Sequence, residues 1–171
     1  MKTKRTLWIL IALYIISIYA SLPYMRGFLE LAYSYLDKGG LTLALNATFV
    51  LIAVLLLWLL WLRGIGRFLV LAPIFIAIFV LIIRIEIPEE RMHFIQYGIL
   101  GIMSFFVFRG EAFGLLKAIL LVTIAGAIDE VIQYFLPNRV GDIRDVVFNT
   151  LGGALGVAIA KLALQREERS V

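Results

Sequence analysis

Residues 128–153 concentrate ionisable side chains between two apolar runs, AILLVTIAGA and ALGVAIA, which are hydrophobic enough to lie in lipid. An ionisable side chain inside a membrane is costly unless it is paired or hydrated, and such a residue usually marks a functional site. The segment contains four acids and two arginines: Asp129, Glu130, Asp142, Asp145, Arg139 and Arg144. Together with His93, the one histidine of the chain, these acids could do general acid–base chemistry.

Two other uses of these groups remain open. Asp142 and Asp145 could hold a divalent cation through oxygen ligands, although nothing in the sequence requires a metal and no cofactor is identified. Arginine side chains could bind a phosphate or a carboxylate, and the candidates are Arg91, Arg139 and Arg144. The chain has no P-loop, no HExxH motif and no Ser-His-Asp order. Spacing therefore indicates a polar, outward-facing pocket in the membrane without specifying a reaction.

Helical periodicity gathers these residues onto one face of each of three predicted helices. His93, Gln96 and Tyr97 share a face of one helix, and Glu130 and Gln133 share a face of the next. On the last helix, an acidic outer end continues into small residues along one stripe: Asp142, Asp145, Asn149, Gly152 and Gly156. Because a Gly-x-x-x-Gly spacing permits close packing of membrane helices, the stripe would bring its acids close to the other two faces.

These faces lead to a specific site prediction. The predicted catalytic residues are His93, Glu130, Asp142 and Asp145. The predicted substrate-binding residues are Arg91, Gln96, Tyr97, Gln133, Arg139 and Asn149. Structural explanations compete with this prediction: His93 could only bond a neighbouring helix, an arginine could simply neutralise Glu130, and Asp142 could only cap a helix. The predicted residues lie at a common depth on the same side of the membrane, and this favours one shared site.

Membrane helices must position these residues, because 63% of the 171 residues are hydrophobic and the mean hydropathy is +1.00. The charge-poor runs predict an all-α, polytopic transmembrane helix bundle of about six spans, forming one domain over residues 1–171. The predicted spans are 6–25, 39–62, 68–83, 92–108, 118–136 and 146–160. The first run has the basic start of a signal peptide but no clean small-x-small cleavage site, so we interpret it as a retained helix.

Other features of composition narrow the function and the orientation. The absence of cysteine excludes disulfides and thiolate zinc sites, and the scattered charge does not indicate nucleic acid. With six spans and a cytoplasmic N-terminus, the inside segments carry ten basic and three acidic residues, against six basic and nine acidic outside. This division predicts a multi-pass protein of the cell membrane, with both termini cytoplasmic and the site facing the extracytoplasmic side.

The connection between the first two spans has apolar residues at helical spacing. Phe28, Leu29, Ala32, Tyr35 and Leu36 fit a short interfacial helix that ends at Gly39 and Gly40. An ordinary loop in the aromatic belt is an equally good interpretation.

Two segments resemble the VanZ-like family of membrane proteins: PEERMHFIQYGILG, and DEVIQYFLPNRVGDIRDVVFNTLGGALG about thirty residues later. The resemblance covers residues 88–161 and rests on three pieces in the family's order. The matched residues are His93, Tyr97, Glu130, Gln133, Pro137, Arg139, Asp142, Asp145, Asn149 and Gly152. Many members have an Asp-Lys pair where this chain has Glu89-Glu90-Arg91, and some have Glu at the position of Gln96, which changes the charge of the pocket.

The resemblance implies a role in resistance to lipophilic glycopeptide antibiotics such as teicoplanin, and it brings no established reaction. One hypothesis is a membrane enzyme, using acid–base or phosphoryl-group chemistry on the head group of a lipid-linked cell-envelope molecule. The alternative is a non-catalytic scaffold or binder that shields the lipid-linked wall precursor or captures the lipophilic glycopeptide. The expected partner is a membrane lipid or lipid-linked wall precursor, and the oligomeric state stays open.

Overall fold

A computed structural model describes residues 2–84, 88–137 and 139–164 of the chain. Six α-helices follow one another with short connections, and a π-helical turn, Ala160–Leu164, extends the last of them. The helices are α1 (Lys2–Tyr35), α2 (Lys38–Leu62), α3 (Ile65–Arg84), α4 (Pro88–Phe108), α5 (Gly114–Phe135) and α6 (Ile143–Ile159). The described residues contain no strand, which confirms the all-α prediction.

The helices match what a membrane requires. Within the described residues, four segments are long and apolar enough to cross a bilayer: Thr3–Tyr35, Gly39–Leu62, Arg91–Phe108 and Ile143–Leu162. With 20 and 22 residues, α3 and α5 occupy the two remaining predicted positions. Large apolar side chains such as Ile16, Leu43 and Ile124 are exposed on the outside of the bundle. The protein is therefore a polytopic helical membrane protein.

The first helix corrects the prediction for the segment after the first span. The structure has neither a separate interfacial helix nor a loop there, because α1 continues through Pro23 to Tyr35 as one helix of 34 residues. Asp37 then caps α2 by accepting a hydrogen bond from the Gly40 N–H at 2.7 Å, so both predicted terminating glycines lie in the first turn of α2. The charge of Arg26 ended the apolar run, but a charge does not end a helix.

The three helices that carry the predicted site form the centre of the bundle. Helix α6 packs most extensively on α4, and α5 packs on both. A Cβ atom added at Gly156 would collide with the backbone of Gly98, and one added at Gly101 would collide with the backbone of Gly153. The glycine stripe therefore faces a helix, as its spacing predicted.

The remaining helices flank this centre on two sides. The Tyr14 and Tyr19 hydroxyls of α1 donate to the carbonyl oxygens of Gln96 in α4 and Ala125 in α5, at 3.1 and 2.8 Å. The α2–α3 hairpin packs on α4 through an apolar cluster that includes Phe49, Ile82 and Phe94.

At the end of the bundle that holds the N-terminus, Lys4 and Lys117 donate to the two carboxylate oxygens of Glu111, at 2.8 and 3.0 Å. These bonds join the start of α1, the α4–α5 connection and the start of α5.

Candidate functional site

A group of polar side chains lies buried between α4, α5 and α6, and we call it the polar cluster. Each member is no more than 8% exposed: His93, Tyr97, Asp129, Glu130, Gln133, Asp145 and Asn149. Spacings of three or four residues place His93 beside Tyr97 on α4, Gln133 beside both acids on α5, and Asp145 beside Asn149 on α6. All but Asp129 were predicted as site residues.

Asp129 is the most buried acid of the cluster, with no exposed surface. Its Oδ2 accepts a hydrogen bond from the Tyr97 hydroxyl at 2.7 Å, and its Oδ1 accepts one from Nε2 of Gln133 at 3.3 Å. The His93 Nδ1 atom lies 3.8 Å from Oδ2 of Asp129. This carboxylate thus joins α4 to α5.

Glu130 joins α5 to α6. Its Oε1 accepts from Nε2 of Gln133 at 3.3 Å and from Nδ2 of Asn149 at 3.5 Å. Its Oε2 accepts from the backbone N–H of Asp142 at 3.1 Å. The adjacent acids Asp129 and Glu130 therefore point to different neighbouring helices, while Gln133 bridges both.

Sequence reasoning left Asp129 out of the site because a helical wheel puts it a quarter-turn from Glu130. That argument assumed a single functional face on α5. In the structure α5 packs on both α4 and α6, so it has two buried faces. The signal was present, since Asp129 precedes Gln133 by four residues and shares its side of the helix.

Arg139 links the cluster to a surface cavity. Its Nε donates to Oε1 of Gln133 at 3.2 Å. The cavity has a volume of about 640 Å³ and is lined by residues from α1 and from the α5–α6 connection: Pro23, Arg26, Gly27, Glu30, Pro137, Arg139 and Val140. A polar cavity thus lies near the buried acids, and Gln133 connects the two, because it bonds both to Arg139 and to the acids.

Asp142 and Asp145 occupy different environments at the start of α6. The Asp142 carboxylate caps the helix by accepting from the Arg144 N–H at 2.8 Å, and it pairs with the Arg144 guanidinium at 2.6 Å. These hydrogen bonds hold the pKa of the Asp142 carboxyl below its ordinary value. Asp145 is buried and close enough to act electrostatically on His93 and Glu130. Asp142 thus contacts the cluster through its backbone N–H, which donates to Glu130, whereas Asp145 interacts with it electrostatically.

The structure places the other two predicted residues away from the cluster contacts. Arg91 donates from Nη1 to Oδ1 of Asn46 at 2.6 Å and from Nη2 to the Ile83 carbonyl at 3.3 Å, so it ties α4 to the α2–α3 hairpin. Gln96 is half-buried, and its backbone carbonyl accepts the bond from α1. Their substrate-binding roles stay predictions.

The arrangement also bears on metal binding. His93, Asp129 and Glu130 each offer a ligand atom, and these atoms all lie within 4.8 Å of one another. The sequence suggested Asp142 with Asp145 for a cation, but Arg144 already occupies the Asp142 carboxylate. The donor set in the structure is therefore one imidazole with two carboxylates.

Comparison with known proteins extends the resemblance beyond the second half of the chain. The VanZ/LLP1 family model matches residues 6–164, so it includes the first three helices as well as the motif segments. No curated protein and no solved structure matches the chain. The chain therefore belongs to the VanZ/LLP1 family, as a VanZ-like membrane protein linked at family level to teicoplanin resistance.

Proposed function

We propose that this protein binds the phosphate-bearing head group of a lipid-linked cell-envelope molecule at the extracytoplasmic surface of the membrane. The observation that carries the proposal is the cavity between Arg26 and Arg139, which joins the polar cluster through Gln133. Phosphate recognition favours arginine, because its planar guanidinium can donate two parallel hydrogen bonds to phosphate oxygens.

The position of Arg139 suits this role. Within the described part of the chain, its side chain makes one hydrogen bond, from Nε to Gln133. That bond orients the guanidinium and leaves both terminal nitrogens for a ligand. Arg26 approaches Glu30 at 3.8 Å, a contact between side chains that are 62% and 74% exposed and therefore weakly coupled.

The length of α1 supports a site at head-group depth. At 1.5 Å per residue, its 34 residues span about 51 Å, whereas the hydrocarbon core is about 30 Å thick. Arg26 lies about 36 Å along the helix from its start. With the N-terminus inside, as the charge division predicts, this arginine reaches the outer head groups.

Burial favours binding over catalysis in this conformation. A general acid or base must come within hydrogen-bond reach of the reacting group, and His93 and Glu130 are only 5% and 6% exposed. In an enzyme, the arginines would hold the phosphate while His93 or Glu130 moved a proton at the head group, after the cluster had opened. We therefore propose head-group binding as the function. Acid–base or phosphoryl-group chemistry on the bound head group would be a separate activity, which the experiments below can detect.

A second candidate function is favoured by an apolar cavity on the other side of α4. Its volume is about 260 Å³, and α2, α3, α4 and α6 contribute its walls through residues such as Phe49, Phe79, Phe94, Ile102 and Leu155. Such a groove fits an acyl or prenyl chain. A non-catalytic protein that uses it would bind the lipid part of a wall precursor or of a lipophilic glycopeptide.

Binding to matched lipids separates these functions. Purified protein is titrated with a polyprenyl diphosphate and with the neutral polyprenol of the same chain length. We expect the diphosphate to bind at least about tenfold more tightly, a difference of about 1.4 kcal/mol, and Arg26→Ala or Arg139→Ala to abolish that preference. Arg63→Ala, at the other end of the bundle, is the matched control. Equal affinity for both lipids would reject the head-group proposal in favour of the apolar groove.

Mass spectrometry of the lipid extract tests the identity and the fate of the bound molecule. A phosphate-bearing lipid should co-purify with the wild type and not with Arg139→Ala. Conversion of the added diphosphate by the wild type, lost in Glu130→Gln, would establish an enzyme.

A further inference from the structure

Two adjacent buried acids have no lysine or arginine partner within the described residues, and the ionisable base beside them is His93, whose Nδ1 lies 3.8 Å from Oδ2 of Asp129. The groups that donate to Asp129 and Glu130 are the Tyr97 hydroxyl, the side-chain amides of Gln133 and Asn149, and one backbone N–H. All of these donors are uncharged. No described lysine or arginine lies within ion-pair distance of either carboxylate. Burying two carboxylates side by side without a positive charge is strongly unfavourable.

Two buried polar atoms beside these acids make no well-formed hydrogen bond to a described residue, and the His93 ring and the Asn149 amide are close enough to interact with each other. They are Nδ1 of His93, whose side chain is 6% exposed, and Oδ1 of Asn149, which is fully buried. The His93 atom lies 3.8 Å from Asp129 Oδ2, too far for a hydrogen bond. The Asn149 amide is oriented by its other end, which donates to Glu130. An unsatisfied buried donor or acceptor costs about 1–3 kcal/mol, and a ligand that approaches both atoms would remove that cost.

We propose that His93, Asp129 and Glu130 bind one divalent transition-metal ion, Zn²⁺ or Mn²⁺, with Oδ1 of Asn149 beside them as a further donor. The three ligand atoms lie within 4.8 Å of one another. Ligands at about 2.0–2.2 Å from a tetrahedral ion lie about 3.3–3.6 Å apart, so these atoms need to draw together by only about 1 Å. A dication neutralises both carboxylates and satisfies the imidazole nitrogen.

The type of ion follows from the donors. An imidazole nitrogen disfavours Mg²⁺ and Ca²⁺, which prefer oxygen ligands, whereas Zn²⁺ suits imidazole together with carboxylate. Mn²⁺ is the second candidate because two of the three ligands are carboxylates. The groups behind the ligands are also in place. Tyr97 orients the Asp129 carboxylate and Gln133 orients both carboxylates, as outer hydrogen bonds do in metal sites. Gln133 would lie between the ion and Arg139, because its Nε2 donates to both acids while its Oε1 accepts from Arg139.

Direct metal binding tests the proposal without any lipid, so its result is independent of the head-group proposal. Tag-free protein in detergent is stripped with EDTA, exchanged into metal-free buffer and titrated with ZnCl₂ or MnCl₂ by calorimetry. Elemental analysis then gives the stoichiometry. We expect one ion per chain, together with a higher melting temperature that EDTA reverses.

Variants locate the ion. Asp129→Asn and Glu130→Gln should each weaken binding by at least about 100-fold, while the metal-free variants melt no lower than the metal-free wild type, because an uncompensated buried charge has been removed. Glu111→Gln, the same change at an exposed acid, should bind as the wild type does. Stoichiometric binding that survives in Asp129→Asn and Glu130→Gln would overturn the assignment. So would a wild type that binds neither ion and whose melting temperature ignores EDTA and added metal, in which case protons neutralise the acids.

Discussion

At the scale of single residues, the contact between Tyr97 and Asp129 should be the most sensitive part of the polar cluster. The hydroxyl lies 2.7 Å from Oδ2, and neither residue has exposed surface. Tyr97→Phe removes the donor and leaves a buried carboxylate oxygen unsatisfied, at a cost of about 1–3 kcal/mol. Thermal unfolding in detergent should show a clear loss of stability. The same change at Tyr24, which is 74% exposed, should leave the melting temperature unchanged. Equal melting of both variants would show that the Tyr97 hydroxyl stabilises nothing.

Glu111 allows a prediction of pH dependence outside the membrane. Hydrogen bonds from Lys4 and Lys117 lower the pKa of this carboxyl below its ordinary value of 4.5. A lowered folded-state pKa means that the contribution to stability is present above the unfolded-state pKa and is lost as pH falls through the folded-state pKa. Between pH about 7 and pH about 3, the wild type should therefore lose more stability than Glu111→Gln does. Melting curves of the two proteins across this range test the sign. A larger loss in the variant would contradict it.

At the scale of helices, the backbone contact between α4 and α6 should tolerate no added side chain. A Cβ atom at Gly156 would meet the Gly98 backbone, whereas one at Gly66 in α3 would meet nothing within 4 Å. Gly156→Leu should destabilise the protein by about 1–3 kcal/mol or more through overpacking, although leucine is the better helix former. Gly66→Leu should be neutral or stabilising. Melting temperatures in one detergent provide the comparison, and similar values for both variants would show that the α4–α6 contact is loose.

Periodicity predicted the helix faces well, because close packing leaves few alternatives for a polar stripe in an apolar helix. Asn149, Gly152 and Gly156 lie on the buried side of α6, and Glu130 meets that side from α5. Periodicity could not show that α1 continues past Arg26, since apolar runs end at charges and helices end at caps. It also could not show that Asp129 is buried, because that depends on a second neighbour of α5.

The residues that individual long or polar side chains contact were less predictable than the helix faces. Arg91 was expected at the site, yet it reaches Asn46, which is 45 residues away in sequence. Long side chains can reach any of several helices, so their partners depend on packing that one sequence does not reveal. Asp142 shows the same limit, because its acid is held locally as a cap while its backbone N–H contacts Glu130.

At the scale of the whole molecule, the charge division predicts that both termini are cytoplasmic. The chain has no cysteine, so single cysteines can be introduced at Thr3, Ser34, Asn138 and Ser170 and labelled on intact cells with an impermeant reagent. Ser34 and Asn138 should be labelled, while Thr3 and Ser170 should react only after permeabilisation. Labelling of Thr3 on intact cells, or protection of Asn138, would reject this orientation and move the site to the other side of the membrane.

The contact between α4 and α6 has a consequence for biogenesis. Helices enter the membrane in chain order and then associate, so α4 and α5 are present before their partner α6 has been synthesised. Until then, Glu130 lacks both the Asn149 amide and the Asp142 N–H, and α5 carries two acids into lipid with few donors. The segment that begins at Asp142 therefore supplies the last hydrogen-bond donors that Glu130 of α5 needs. A chain that stops before residue 142 should leave α5 poorly inserted and exposed to quality-control proteases, even though nearly all of its apolar spans are complete.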